Sequence, residues 1–414
     1  MAIIKPFRGI RPVADKVHLV ASRSVAGYNS AQLHSKLSEN PYTFFHIIMP
    51  EFGGTVKSRP NSPELLKKIK AKFLSFIKEK IFVTDSEESF YIYQQIKEGH
   101  TFTGIIACAS VDDYLNNVIK KHEQTITERE EKLKDYLEIC DFDAEPVCFC
   151  YPDNKKIDSI VSKTISGEAT YNFTTTDRIQ HKLWKLSDRK LVEEIVSAFA
   201  EIPSIYIADG HHRSASSARL GKSHREKNLN HSGNELYNFF MAAFFPESNL
   251  KIFEFNRVAK DLNGLNKETF LKKLSENFTI EERGEAAFKS KEKGVFGMYL
   301  EYKWYALKLK EKNSKLDSDL LTDLILSPIL GIHDLRRDKR ISFISGTQGI
   351  EALKKIVDSG KGTVGFGLYP VTIHDVVKIA DAGGTMPPKS TWVEPKMRSG
   401  LVIYSLSELP SSTK

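Results

Sequence analysis

Apolar and polar positions along the chain follow two periods, and they change places repeatedly. Leu66, Ile69, Phe73, Phe76 and Ile77 recur at helical spacing, which predicts a helix over 64–80 whose lysines form the solvated face. Val111, Tyr114, Leu115, Val118 and Ile119 fall at i, i+3, i+4, i+7 and i+8, which predicts a helix running on to about 137. Short apolar runs at 44–49, 90–95, 103–109, 146–151 and 205–208 read as strands. Strands and helices alternate up to about 245, an α/β or α+β pattern. Beyond 246 a second series begins, with strands at 252–256, 295–307 and 364–368. Its helices are predicted at 317–330, ending at Gly331, and at 372–382, stopped by Gly383-Gly384. The expected division is therefore 1–245 and 246–414.

A length of 414 residues suits two or three domains, and 41% hydrophobic with 27% charged residues permits a large core. The longest apolar run, Phe239 to Phe245, is far short of the roughly 20 residues a spanning helix needs, so no membrane role is expected. The opening residues lack the apolar stretch and cleavage site of a signal peptide, which points to a cytoplasmic protein. A net charge of +7 is mild and suits small anionic ligands at least as well as nucleic acid. With neither a helix-turn-helix nor a basic surface evident, DNA is not an expected partner. The four cysteines contain no CxxC pair. Cys148 and Cys150 alternate onto one strand face, where buried thiols are a better reading than a metal site.

Three stretches carry candidate chemistry. Ile205 to Ala208 leads through Asp209-Gly210 into a small-residue helix expected from about His212 to Gly221, so a strand opens directly onto a helix N-terminus. Such an end presents unpaired N–H groups to phosphate or carboxylate. His211, His212 and Arg213 add imidazoles that donate or move protons and a guanidinium that grips phosphate in two places. Asp209 could cap the helix, bind Mg²⁺ or orient a hydroxyl. In the second stretch, His122 and Glu123 sit near the apolar face of the expected long helix, where a carboxylate can have a raised pKa and act as a general base. The third, Met386-Pro-Pro-Lys-Ser-Thr391, is a stiff loop whose Lys389, Ser390 and Thr391 offer one cation and two hydroxyls to a phosphoryl group. Walker A and kinase-type glycine loops are absent: Ser216 stands where the first glycine before Gly221-Lys-Ser223 would be needed.

Asp209-Gly-His-His-Arg213 resembles the signature of the ParB/sulfiredoxin-like superfamily, in particular its free-serine kinases. His122-Glu-Gln124 resembles the segment with their catalytic glutamate, and Pro388-Lys-Ser-Thr391 their phosphate-binding segment. The whole chain also resembles a large bacterial family related to these kinases, through Pro6-Phe-Arg-Gly-Ile-Arg-Pro12, Asn40-Pro-Tyr, Asp338-Lys-Arg340, Ala380-Asp-Ala-Gly and Pro395-Lys-Met-Arg-Ser-Gly400. Two departures stand out. The N-terminal Tyr-Asp turn of many relatives is replaced by Ala21-Ser-Arg-Ser-Val-Ala-Gly-Tyr28, and the second acidic residue after the glutamate has two candidates, Glu128 and Glu130.

The resemblance implies an α+β fold, with a ParB/sulfiredoxin-like mixed core and a second C-terminal α/β unit. It also implies phosphoryl transfer from ATP, ADP or pyrophosphate, with Mg²⁺, to free serine or a similar hydroxy acid. Glu123, assisted by His122, would accept the hydroxyl proton, and Asp209 would orient substrate or hold Mg²⁺. His211, His212 and Arg213 would bind phosphate or the substrate carboxylate. Lys389, Ser390 and Thr391 would neutralise the phosphoryl group. The alternatives are a nucleotide-binding regulatory switch with little turnover, and metal-assisted hydrolysis at Asp209, His211 and His212.

Overall fold

The computed structural model describes residues 1–311 and 313–408. The chain mixes helix and strand throughout and divides into two compact units, 1–250 with 395–408 and 251–394. The sequence pattern places one boundary near 246. In the structure the chain leaves the first unit at Leu250 and returns to it at Pro395.

The first unit is built on a nine-stranded sheet among the described residues. Its order runs Ile119–Lys120, Ile205–Asp209, Val147–Tyr151, Phe239–Pro246, His100–Ser110, Phe90–Lys97, Gln180–Leu186 and Tyr171–Thr174, with Ile4–Lys5 against His100–Ser110. Two pairings are parallel, Ile205–Asp209 with Ile119–Lys120 and Val147–Tyr151 with Phe239–Pro246; the others are antiparallel. The central strands are apolar on both faces, as strands covered on both sides must be. Helices Lys155–Ile165 and Arg189–Ala200 pack Ile157, Ile160, Ile195 and Phe199 into one core with Ile105, Phe149, Ile207 and Phe244. Helix Pro63–Lys78 starts at a Ser62 cap with Pro63 in its first turn, and buries Leu66, Ile69, Phe73 and Phe76 beside Phe82 and Phe142.

The second unit carries a six-stranded antiparallel sheet in the order Phe278–Gly284, Lys303–Leu309, Val295–Leu300, Val364–Gly367, Phe255–Ala259 and Ile341–Ser345. Phe270, Leu274, Phe296, Leu307, Leu326 and Phe366 form its main core.

Four expected elements are corrected. The 44–49 run is a short helix, Phe45–Ile48, because its apolar residues fill one pocket of the core rather than alternating across a sheet. The helix expected from 111 to 137 is broken into Val111–Leu115, the strand Ile119–Lys120, a loop and the helix Thr127–Cys140. Val118 and Ile119 are apolar because they pack on the sheet core, so the helical count was coincidental beyond Leu115. The helix after Gly210 runs from His211 to Lys227, past Gly221. That glycine is buried where a side chain would meet the Tyr237 carbonyl and Val111, so it permits close packing rather than ending the helix. The expected 317–330 helix is Asp317–Leu321 followed by a π-helical stretch, Thr322–Leu326.

Candidate functional site

The strand Ile205–Asp209 ends in a register shift between Ile207 and Asp209, a bulge that re-aims Asp209 at the sheet's end. Gly210 follows with φ +105° and ψ 30°, a left-handed conformation that favours glycine. A Cβ there would lie 3.1 Å from both Val147 and the Arg213 guanidinium. The helix His211–Lys227 starts at this glycine with no side-chain cap on its first N–H groups, which leaves an electropositive end.

The first turn of this helix holds the loop that carries Glu123. His211 Nε2 accepts the backbone N–H of His122 at 3.4 Å, and His212 Nε2 accepts that of Ile126 at 3.1 Å. With its Nε2 accepting, the neutral His211 ring carries its proton on Nδ1, which faces Glu123 Oε2 at 3.3 Å. The two histidines therefore act first as clamps on residues 122–126. Glu123 is 44% exposed at its side chain. The hydrogen bond from His211 holds its pKa below the ordinary carboxylate range, against the opposing effect of burial. The raised pKa expected for a carboxylate at a core edge is corrected: loop and histidine, not a helix face, set its environment.

His122 packs edge-on to His211, with ring centres 4.4 Å apart. It is buried, its Nδ1 has no hydrogen-bond partner, and burial beside His211 lowers its pKa to about 3, so the ring is neutral. Of the two further acidic candidates, Glu128 is exposed and pairs with Lys132. Glu130 is buried and takes bonds from Thr125 and Arg219, which also steadies the loop.

Asp209 lies between two cations. Lys396 Nζ sits 3.3 Å from its Oδ2 and Arg213 Nη2 3.7 Å. Burial opposes ionisation of Asp209, but Lys396 and Arg213 outweigh it and hold the pKa low. Arg213 Nη1 is committed to the carbonyls of Glu145 and Pro146, at 2.8 and 2.9 Å, and to the Glu145 carboxylate at 3.1 Å. Among the described residues no group of three or more His, Cys, Asp or Glu side chains is placed to hold a metal ion. A single carboxylate already paired with two cations is a poor metal ligand, so a Mg²⁺ here would have to be held mainly by donor phosphates and water.

Lys396 was not among the candidate residues, yet it meets Asp209. The signal was present: it belongs to Pro395-Lys-Met-Arg-Ser-Gly400, a stretch that carried the family resemblance without a role. Only the return of the chain to the first unit brings it to Asp209, 187 positions away.

Glu123, His122, Asp209, His211, His212 and Arg213 thus come together in the first unit. Lys389, Ser390 and Thr391 belong to the second. There Lys389 has φ +58°, and its ammonium lies over the Phe255 ring at 5.3 Å. Its carbonyl accepts from Arg257 at 3.1 Å. The buried Ser390 hydroxyl donates to the Pro387 carbonyl at 2.8 Å and lies 3.3 Å from Ser318 Oγ.

A family model described as "Protein of unknown function (DUF1015)" matches residues 4–327. The chain belongs to the DUF1015 family. No curated protein matches it. Among solved structures, a free serine kinase mutant in complex with ADP is 15% identical, covers 72% of this chain and 92% of its own, and has a TM-score of 0.35. SbnI with a C-terminal truncation, from Staphylococcus aureus, is 13% identical over 70% of this chain and 82% of its own, with a TM-score of 0.37. A conserved hypothetical protein from Pyrococcus furiosus is 14% identical over 72% and 95%, with a TM-score of 0.35. No helix among the described residues of this DUF1015 member is long and apolar enough to cross a membrane.

Proposed function

We propose that this DUF1015 member is a small-molecule kinase, moving a phosphoryl group from ATP, ADP or pyrophosphate to the hydroxyl of free L-serine or a similar small hydroxy acid. The observation that carries the reading is Glu123: an ionised, part-exposed carboxylate, oriented by His211 at the uncapped N-terminus of an electropositive helix. A base and an anion site are thereby joined through one imidazole. The resemblance of His122-Glu-Gln124 and Asp209-Gly-His-His-Arg213 to the serine kinases supports it.

In the reaction the substrate hydroxyl oxygen forms a bond to phosphorus, and the bond from phosphorus to the leaving phosphate breaks. The hydroxyl proton passes to Glu123. A carboxylate with a low pKa suffices, because proton transfer lags behind bond breaking in a loose phosphoryl transition state. His122, kept neutral by burial, adds no charge that would draw Glu123 away from substrate. The helix N-terminus, with Arg213 behind it, favours phosphate or the substrate carboxylate. Mg²⁺ on the donor phosphates would supply charge neutralisation, with Asp209 the residue in reach of it. The phosphate-binding role proposed for Lys389, Ser390 and Thr391 belongs to the second unit and rests on the resemblance alone.

The test is incubation with serine, Mg²⁺ and each donor in turn, with O-phosphoserine measured by mass spectrometry. Product is expected with at least one donor and is lost in Glu123→Gln. A nucleotide-induced rise in melting temperature with no product from any donor would favour the regulatory switch.

A further inference from the structure

A cleft opens between three helices of the first unit, Val111–Leu115, Thr127–Cys140 and His211–Lys227. Its volume is about 460 Å³, within the roughly 300–1,000 Å³ of small-molecule sites. Tyr114, Leu115, Ala215 and Ala218 give it an apolar floor. It lies apart from the Glu123 site. Lys222, on its wall, follows His211 by eleven residues, roughly 16 Å along the helix axis.

The charged groups around this cleft divide into spent and unspent. Arg219 bonds the carboxylates of Glu130 and, at 2.8 Å, of Glu131, and Glu130 also takes the Thr125 hydroxyl. Lys134 stands 3.6 Å from Glu138 and 4.0 Å from Glu131. Lys222 and Glu226 enter no hydrogen bond or ion pair among the described residues. They stand one turn apart on the same helix, and both are exposed. Opposite charges at this spacing often pair, but a lysine before its glutamate is the weaker order. The cleft therefore keeps an unspent ammonium and an unspent carboxylate side by side at an apolar floor. A lone phosphate would meet Glu226 there, and a lone ammonium would meet Lys222. A small molecule that carries both signs on an apolar body satisfies both. We propose that the cleft is a binding site for a free amino acid with an apolar side chain, with Lys222 holding its carboxylate and Glu226 its ammonium. This claim stands apart from phosphoryl transfer and uses none of its residues.

The probe is L-phenylalanine, titrated against the full chain by ligand-observed NMR. Two analogues that each lack one charge, L-phenylalaninamide and N-acetyl-L-phenylalanine, are titrated beside it. Wild type is expected to bind phenylalanine saturably and each analogue roughly tenfold or more weakly. Lys222 and Glu226 are exposed and unpartnered, so their replacement leaves the fold intact. Lys222→Met and Glu226→Gln should each weaken phenylalanine binding to a similar extent. The losses should overlap rather than add: Lys222→Met costs no further affinity for phenylalaninamide, and Glu226→Gln none for N-acetylphenylalanine. Glu123→Gln should leave phenylalanine binding unchanged. The proposal is overturned if wild type shows no saturable binding, if either analogue binds as well as phenylalanine, or if either cleft variant keeps full affinity. A loss in Glu123→Gln also overturns it, because the ligand would then sit at the Glu123 site.

Discussion

The charged groups around Gly210 and those beneath Lys389 live under opposite electrostatic conditions. In the first unit Glu123 and Asp209 are held below the usual carboxylate range by His211 and by Lys396 with Arg213. In the second, burial pushes Asp317 up to about 6 and also raises Asp319, while it lowers Arg257 to about 10. Arg257 is buried; its two terminal nitrogens bond the carbonyls of Phe255 and Lys389, and its Nε has no hydrogen-bond partner. Around Gly210 the two carboxylates have partners, His211 and Lys396 from distant elements and Arg213 from four residues on. The second region uses a buried cation to shape a loop. The difference separates groups poised to act at neutral pH from groups that hold conformation.

The largest effect expected is on turnover. Removing a general base costs about 10²–10⁴-fold in rate. Glu123→Gln should lose that much phosphoserine production in initial-rate assays while keeping pyrophosphate affinity. Near-normal turnover would remove Glu123 from proton transfer and erase the functional half of the comparison.

The pH dependence of stability tests the electrostatic half. His122 has a folded pKa of about 3 against an ordinary 6.5, so between those values the unfolded chain binds more protons and stability falls with falling pH. The whole window corresponds to about 5 kcal/mol at most, and to less if the protonated ring turns towards Glu123. Asp317 has the opposite sign. Its folded pKa of about 6 lies above the ordinary 3.8, so the folded state binds more protons in that window. Stability is present below it and lost, by roughly 3 kcal/mol, as pH rises through 6. Melting curves at pH 7, 6 and 5 should therefore show His122→Gln improving relative to wild type as pH falls. Asp317→Asn should improve relative to wild type as pH rises. Constant costs of either substitution cancel from these trends. Parallel trends would show that the two regions do not differ in this way.

How much of this was legible in the sequence varies with range. The strand into Asp209, the turn at Gly210 and the helix after it were readable, because a short apolar run, a glycine and a small-residue helix are local signals. The setting of Glu123 was not. Val118 and Ile119 continue a helical count while packing as a strand, so periodicity placed His122 and Glu123 on a helix that does not exist. The clamp by His211 and His212 and the arrival of Lys396 depend on separations of about 90 and 187 positions, which no local pattern encodes. Some quoted motifs turned out to be scaffold. Arg11 of Pro6-Phe-Arg-Gly-Ile-Arg-Pro12 pairs with buried Asp85 at 2.8 Å and bonds Tyr171, and Arg340 of Asp338-Lys-Arg340 holds the carbonyls of Leu330 and Gly331.

A smaller effect should come from the backbone at Gly210. A left-handed conformation costs a non-glycine residue about 1–2 kcal/mol. Its Cβ would also press on Val147 and Arg213. Gly210→Ala should lower the unfolding free energy by that amount or somewhat more, read as a fall in the denaturant midpoint at unchanged m. An unchanged midpoint would mean that the helix start adapts, and that the first region is less rigidly built than its bonding suggests.

The smallest effect is expected at Ser390, and it bears on the second region most directly. The residue is 6% exposed and its hydroxyl donates back to Pro387, closing the turn that presents Lys389. A hydroxyl so committed has little left for a phosphoryl group. Removing it costs one intramolecular hydrogen bond, about 1 kcal/mol, and leaves the Pro387 carbonyl short of a donor. Ser390→Ala should therefore lower stability by about that much and change turnover by less than tenfold. The decisive contrary result is a hundredfold loss of turnover at unchanged stability. It would show that Ser390 exchanges its internal bond for one to the ligand, and the second region would then act on phosphate rather than only hold conformation.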